Sequence, residues 1–195
     1  FWGRKAVERG IELINAQKAD IIFFTGDLVN DTASEALPWI DLFKKIKAPM
    51  GVFSILGNHD YGDYVTWKSK EAKKDNFNLM RQNHKDLGWD LLLDESRILE
   101  INGQKLAVIG IQNWSEKGRF PKYGNLEKAY NQAESAQVKL LLSHDPSHWR
   151  AQVLNQKKDI AVQFSGHTHG MQFGVDNRFY RWSPIKYMYK EWIDL

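Results

Sequence analysis

The amino-acid sequence predicts an α/β fold in one domain that spans residues 1–195. Continuous apolar runs, which are typical of strands buried on both faces of a sheet, alternate with segments whose apolar residues have helical spacing. In the middle of the chain Asn102-Gly103, a strong β-hairpin signal, lies between two further strand-like runs. This turn predicts antiparallel pairing, and therefore mixed sheets. The length suits one domain with a large core rather than two.

The elements follow in order along the chain. The second helix has Ser34 as its cap and Pro38 in its first turn, and the third is a polar segment with apolar residues on one face. Residues 113–125 form an irregular loop, and no element is predicted in the aromatic tail after Gly170, which runs from Phe173 to Trp192. Helices are predicted at 5–17, 34–46, 64–85 and 126–136, and strands at 20–24, 52–56, 91–93, 96–101, 105–111, 138–142 and 160–164.

The composition excludes several classes of function. It is 43% hydrophobic and 26% charged, as in an ordinary soluble globular protein. The formal net charge of +3 is too small to predict binding to nucleic acid or to a membrane. Because the chain has no cysteine, it has no disulfides, thiolate zinc sites or cysteine nucleophile. No apolar run approaches the ~20 residues that cross a bilayer.

Four short clusters of polar residues follow four of the predicted strands. They are Thr25-Gly26-Asp27, Gly57-Asn58-His59-Asp60, Ser143-His144-Asp145 and Gly166-His167-Thr168-His169. In α/β sheets, sites collect where strands end and loops begin, so these clusters are expected to lie together. One carboxylate, one amide oxygen and three imidazoles would then converge, a donor set that suits zinc, manganese, iron or nickel. The predicted metal ligands are Asp27, Asn58, His144, His167 and His169.

Each cluster also has a simpler interpretation when taken alone. Gly, Asn and Asp are the commonest turn formers, so the first two clusters could be tight turns. The two histidines of the last cluster point to the same side of an extended segment, which a metal requires and a turn does not. Four of the six histidines lie in the clusters, which favours a metal site. Of the other two, His84 is predicted on a solvated helical surface, and His148 at a helix start.

These motifs resemble those of the calcineurin-like metallophosphoesterase superfamily. That family carries, in order, Asp-x-His, Gly-Asp, Gly-Asn-His-Asp or Glu, a later His, and Gly-His-x-His, and all but the first are present here. The last motif is most similar to the bacterial YkuE-like branch, although Gly170-Met171-Gln172 replaces the usual Gly-Gly-Gln. Members of that branch are often membrane-tethered. The resemblance therefore leaves open membrane association through a segment outside this chain, in which case this domain itself would be soluble.

The resemblance implies a four-layer α/β/β/α sandwich with a two-metal site. Asp27 would bridge both ions, while Asn58, His144 and His167 would complete one site and His169 would belong to the other. His59 would assist at the scissile ester, and a metal-bridging hydroxide would attack the phosphorus. Asp60 would orient His59.

The Asp-x-His motif, with the central strand that it ends, is absent. Without it the second metal site keeps only Asp27 and His169. We therefore expect a domain truncated at both ends, lacking its first strand and its closing C-terminal strands, within a longer native polypeptide. An intact mass equal to these 195 residues would count against this expectation.

The resulting functional prediction is metal-dependent hydrolysis of a phosphomonoester, a phosphodiester or a lipid-linked pyrophosphate. For the last substrate, the loop from Trp114 to Tyr123 and the aromatic tail could form an apolar cap, and Arg119 could meet a phosphate. The alternative for the tail is packing under the sheet edge. The alternative function is a non-catalytic metal-binding scaffold that has lost one site. No nucleic acid is expected as a partner, and no feature addresses the oligomeric state.

Overall fold

The computed structural model describes residues 3–170, 174–187 and 189, so that Met171, Gln172, Phe173 and Trp192, considered above, lie outside it. The helices are α1 (Arg4–Ala16), α2 (Ile40–Phe43), α3 (Lys70–Leu87), α4 (Leu126–Asn131) and α5 (Leu154–Gln156). The strands are β1 (Ile22–Phe24), β2 (Val52–Ser54), β3 (Asp90–Leu91), β4 (Glu95–Ile101), β5 (Gln104–Gly110), β6 (Val138–Leu142), β7 (Val162–Phe164), β8 (Val175–Asp176) and β9 (Arg181–Trp182). Short 3₁₀ segments lie at Ala33–Trp39, Asn58–Tyr61 and Pro184–Tyr187, and a π-helical turn at Trp149–Val153.

Two larger sheets and a small hairpin form the β-structure. The first sheet has the order β1-β2-β3 with all strands parallel, and the second has the order β4-β5-β6-β7. In the second sheet β4 and β5 are antiparallel, whereas β5, β6 and β7 are parallel. The β4–β5 turn is Asn102-Gly103, with both φ angles positive, as a two-residue hairpin requires. The predicted mixed α/β fold is therefore confirmed.

The sandwich has four layers of secondary structure: helices, the first sheet, the second sheet and a further helix. Apolar core fills the three spaces between them. Along β2, Val52 packs towards α1, α2 and α3, while its neighbour Phe53 packs towards the second sheet. Along β5, Val108 lies in that same inter-sheet layer, and Ala107 and Ile109 face α4. Because successive side chains of a strand point to opposite faces, both strands serve two layers at once.

The two sheets also meet at their edges. Strands β1 and β7 are edge strands among the described residues, and the rings of Phe23 and Phe164 lie 5.0 Å apart. The residues of β1 are only half-buried, although its apolar run predicted burial on both faces. The edge position explains the difference.

The predicted helix at 34–46 is wrong in its first half. Residues Ala33–Trp39 form 3₁₀ turns, and only Ile40–Phe43 are α-helical. Pro38 lacks a donor, and its ring disfavours the α-conformation in the residue before it. The segment begins at Thr32 rather than Ser34, because the Glu35 carboxylate accepts hydrogen bonds from the backbone of Asp31 and Thr32 at 2.9 and 2.7 Å.

His84 was predicted on the surface and is instead fully buried. Its Nδ1 forms a 2.9 Å hydrogen bond with Ser54 Oγ of β2, and burial lowers the pKa of His84 to about 4. The other buried polar residues of α3, Asn76 and Asn83, bond to the backbone of Ala33, so the polar residues of this helix are not all exposed. His148 directly precedes the π-helical turn, close to its predicted place at a helix start.

Near the C-terminus β8, β9 and a 3₁₀ turn form where no element was predicted. In the part of the chain that the structure describes, no helix is long and apolar enough to span a membrane.

Candidate metal centre

The loops that follow β1, β2 and β6 touch one another because two glycines allow it. A Cβ on Gly57 would lie 2.2 Å from Asp27 Oδ1 and 2.6 Å from His144 Cε1. A Cβ on Gly26 would lie 2.4 Å from the Gly57 nitrogen, and Gly26 also has a φ of +96° that favours glycine. The two glycines therefore bring the strand ends into direct contact, as the sequence led us to expect.

Asp27, His144 and His167 form the centre of the site. One ligand atom from each lies within 4.8 Å of the others. His144 donates through Nδ1 to the Thr25 carbonyl at 2.6 Å, which leaves Nε2 as its ligand atom. Nε2 lies 3.1 Å from Asp27 Oδ2 without the alignment of a hydrogen bond, and it has no such partner among the described residues. The two atoms are therefore close enough to bind one ion.

The electrostatics of this pair favour a bound cation. Burial raises the pKa of Asp27, but His144 and other partners outweigh it, so that the pKa is lowered overall. Burial by itself would lower the pKa of His144, but the interactions with the Asp27 carboxylate and other partners outweigh it, so that the pKa is raised overall. For His167, burial and the neighbouring His144 lower the pKa to about 4, which keeps that imidazole neutral. A proton and a metal ion therefore compete for the Asp27–His144 pair, and His167 is in the neutral form that binds a metal ion.

Asn58 shows that the residues present fit a metal ion. Its Oδ1 is buried and has no hydrogen-bond partner within the described residues, while its Nδ2 donates to the Tyr64 hydroxyl at 2.8 Å. That second bond fixes which amide atom is the oxygen, and Asn58 lines the same cleft as His167. An orphaned buried acceptor costs about 1–3 kcal/mol, and a coordinated ion removes that cost.

The backbone at three of these residues is in the left-handed region. The φ angles of Asp27, His167 and His169 are 61°, 66° and 54°. Non-glycine residues rarely adopt this region, and such outliers cluster at functional sites. His169 is exposed and lines the clefts on both sides of the centre, but it is not one of the three grouped ligands.

His59 is oriented by a different residue from the one expected. Its Nδ1 donates to the Asn30 carbonyl at 2.6 Å, and its backbone N–H donates to Asp27 Oδ1 at 3.1 Å. Asp60, predicted to orient the His59 ring, forms none of its hydrogen bonds with that ring. The Asp60 carboxylate instead accepts from the backbone N–H groups of Asp27, Leu28, Val29 and Gly57 at 2.8–3.3 Å.

Asp60 therefore ties the loop after β1 to the loop after β2 and holds Asp27 in its left-handed conformation. Burial raises the pKa of Asp60 to about 6, while the backbone hydrogen bonds oppose that rise. Its role is to position Asp27.

Several residues at the site were not predicted as ligands or catalytic groups. Asp145 is fully buried, accepts from Ser115 Oγ and lies 3.5 Å from His167 Nε2. The rings of Phe120 and Tyr189 meet His167 edge-on at 4.6 and 5.8 Å. Their chain positions are far apart in irregular segments, so no periodicity could reveal these contacts.

The fold and this centre define a protein built to hold divalent metal at the strand ends of an α/β/β/α sandwich. Residues 2–171 match the family model described as calcineurin-like phosphoesterase. The chain therefore belongs to the calcineurin-like metallophosphoesterase family.

Known relatives and structures are consistent with this assignment. The chain is 32% identical over 162 residues to the metallophosphoesterase YkuE of Bacillus subtilis, covering 82% of this chain and 50% of YkuE. It is 23% identical over 194 residues to the UDP-2,3-diacylglucosamine pyrophosphatase LpxG of Chlamydia muridarum, covering 83% of this chain and 57% of LpxG. The structure of the Haemophilus influenzae NAD nucleotidase NadN matches with a TM-score of 0.57 at 16% identity, covering 84% and 32% of the two chains. The chain spans 34–50% of the length of the first curated relatives.

Proposed function

We propose that this protein hydrolyses phosphoesters with the help of divalent metal ions. The grouped ligand atoms of Asp27, His144 and His167, beside the orphaned Oδ1 of Asn58, carry the proposal. The family supports phosphoester hydrolysis in general. LpxG is named as a pyrophosphatase, which keeps pyrophosphate-linked substrates in the proposed class beside mono- and diesters.

Two divalent transition-metal ions (Mn, Zn, Fe or Ni) would be bound. Asn58, His144 and His167 would hold one ion, Asp27 would be shared, and His169 would contribute to the other. When bound, such ions lower the pKa of water and neutralise charge that develops on the phosphoryl group. The side chains named here supply neutral imidazoles, an amide oxygen and one carboxylate, which suit these metals better than calcium or magnesium.

His59 would deliver the proton that the leaving oxygen needs. The Asn30 carbonyl occupies Nδ1, so Nε2 is the ring nitrogen available to a substrate in the adjoining clefts. A correctly placed general acid contributes about 10²–10⁴-fold to the rate.

The test uses the native full-length polypeptide, stripped of metal and reloaded with Mn, Zn, Ni or Fe. Hydrolysis of bis-p-nitrophenyl phosphate and p-nitrophenyl phosphate is expected only with metal. Asn58→Ala is expected to lower both metal content and kcat/KM. His59→Ala is expected to lower kcat about 10²–10⁴-fold with metal content unchanged. Asn78→Ala, on α3, is the matched control.

No turnover with any of these metals would contradict the proposal. One bound ion per chain without turnover would favour the non-catalytic scaffold instead.

A further inference from the structure

A cleft of about 570 Å³ beside the metal centre has two chemically different walls. One wall carries His59 and Tyr64, whose rings lie 4.8 Å apart. The other carries Phe120 and Tyr189, whose rings pack on His167, together with Ile185. Arg119 also lines the cleft, beside Phe120. A substrate bound here therefore meets a polar side near His59 and an apolar side near His167.

The Tyr64 hydroxyl has a hydrogen available for a hydrogen bond to a ligand. Its hydroxyl oxygen accepts from Asn58 Nδ2 at 2.8 Å, so the oxygen is held next to a metal ligand. Among residues 3–170, 174–187 and 189, nothing accepts the hydrogen of that hydroxyl. Because the side chain is 48% exposed, the donor can reach an anionic oxygen in the cleft.

Arg119 supplies a cation without a carboxylate partner in the described part of the chain. Its guanidinium lies over the Phe120 ring, 4.7 Å from the centroid. The loop that carries both residues is closed at its base, where the Asn113 carbonyl accepts from the backbone of Tyr123 and Gly124 at 2.8 and 3.0 Å. A stacked guanidinium on a closed loop is pre-organised, so it loses little rotamer freedom when it binds a phosphoryl oxygen.

We infer that Tyr64 and Arg119 form a clamp for a non-bridging phosphoryl oxygen of a phosphodiester whose retained ester group is apolar or aromatic. The inference rests on the proposed function. In the reaction a water oxygen gives up one proton to solvent and forms a new P–O bond. The P–O bond to the leaving alcohol breaks, and the alcohol oxygen takes a proton from His59, which regains one from solvent. A monoester has only the leaving group, which lies on the His59 side. A diester has a second substituent, and Phe120, Ile185 and Tyr189 give it an apolar wall.

Binding of slowly hydrolysed probes to the metal-loaded, full-length protein tests the clamp separately from turnover. Isothermal titration compares diphenyl phosphate with dimethyl phosphate. The wild-type protein is expected to bind the diphenyl ester at least tenfold more tightly. Arg119→Met and Tyr64→Phe are expected to weaken binding of both esters about tenfold. Phe120→Ala is expected to weaken only diphenyl phosphate, and Arg119→Lys to retain part of the affinity.

The matched control is Arg9→Met, because Arg9 lies on exposed α1 and pairs with Glu12; its affinities are expected to equal those of the wild type. Wild-type affinity in both Arg119→Met and Tyr64→Phe, or equal affinity of the wild type for the two esters, would overturn the clamp. Such a result would leave metal-dependent turnover, and so the proposed function, intact. Conversely, weakened binding in these variants supports the clamp even if the wild type hydrolyses no ester.

Discussion

Replacement of Gly57 by alanine tests whether close approach of two loops builds the metal centre. The backbone of Gly57 has φ −95° and ψ −178°, which any residue adopts. Alanine therefore introduces no backbone strain, and its effect measures only the space that the methyl group needs. That space is occupied by the Asp27 carboxylate and the His144 ring.

The size of the effect follows from three distances. The added Cβ would lie 2.2 Å from Asp27 Oδ1, 2.6 Å from His144 Cε1 and 2.7 Å from the Asp27 nitrogen, whereas ordinary contacts begin at 3.4 Å. The loops must therefore separate by about 1 Å, several times the ~0.2 Å tolerance of metal–ligand distances. We expect a loss of metal affinity of about 100-fold or more. Overpacking of this kind also destabilises the fold by about 1–3 kcal/mol.

Isothermal titration of the metal-stripped variant with Zn²⁺ or Mn²⁺ measures the affinity, and urea unfolding measures the stability. Gly10→Ala is the matched control, because Gly10 lies within α1 with no atom within 4 Å of an added Cβ. That control is expected to bind metal normally and to gain about 0.5–1 kcal/mol from reduced backbone entropy. Metal affinity of Gly57→Ala within threefold of the wild type would refute the reasoning.

Two further predictions concern stability of the metal-free protein. The pKa of His84 is about 4 in the fold and 6.5 in the unfolded chain. The contribution of neutral His84 to the free energy of unfolding is therefore complete above pH 6.5 and is lost as the pH falls towards 4. The lost contribution is about 3 kcal/mol, and His84→Asn, measured by urea unfolding across this range, should flatten the pH dependence accordingly. Lys139→Met should destabilise by about 1–3 kcal/mol in the same assay, because the buried ammonium donates to the Ala136 carbonyl at 2.7 Å and pairs with Asp159; unchanged stability would contradict this.

Much of the fold could be predicted because local pattern and global packing agree. The strand at 138–142 was predicted at its observed position because its apolar run suits a strand between two others, and the Asn102-Gly103 hairpin because its pairing is local. The meeting of the loops after β1, β2, β6 and β7 could also be expected, because parallel strands bring their carboxyl ends to one edge.

The remainder depends on contacts that only the assembled fold creates. The polar face of α3 predicted exposure, but a hydroxyl on β2 gives His84 a buried partner. The motif suggested that Asp60 orients His59, whereas the Asn30 carbonyl does so from a loop 29 residues away. Asn58, a predicted ligand, donates to the Tyr64 hydroxyl and so fixes the position of that oxygen beside the cleft. None of these contacts has a spacing that a sequence pattern could show.

The centre is held in a costly arrangement before any ion binds. Left-handed backbone at three non-glycine residues costs about 1–2 kcal/mol each, and the orphaned Asn58 oxygen adds a similar amount. The Asp60 carboxylate supports one of these residues directly, because it accepts from the backbone N–H of Asp27 and from those of Leu28, Val29 and Gly57. One buried carboxylate thus maintains the geometry of another. An ion then meets ligands that are already positioned, so less of its binding free energy is spent on ordering them, and the affinity of the site depends on Asp60 as well as on the ligands.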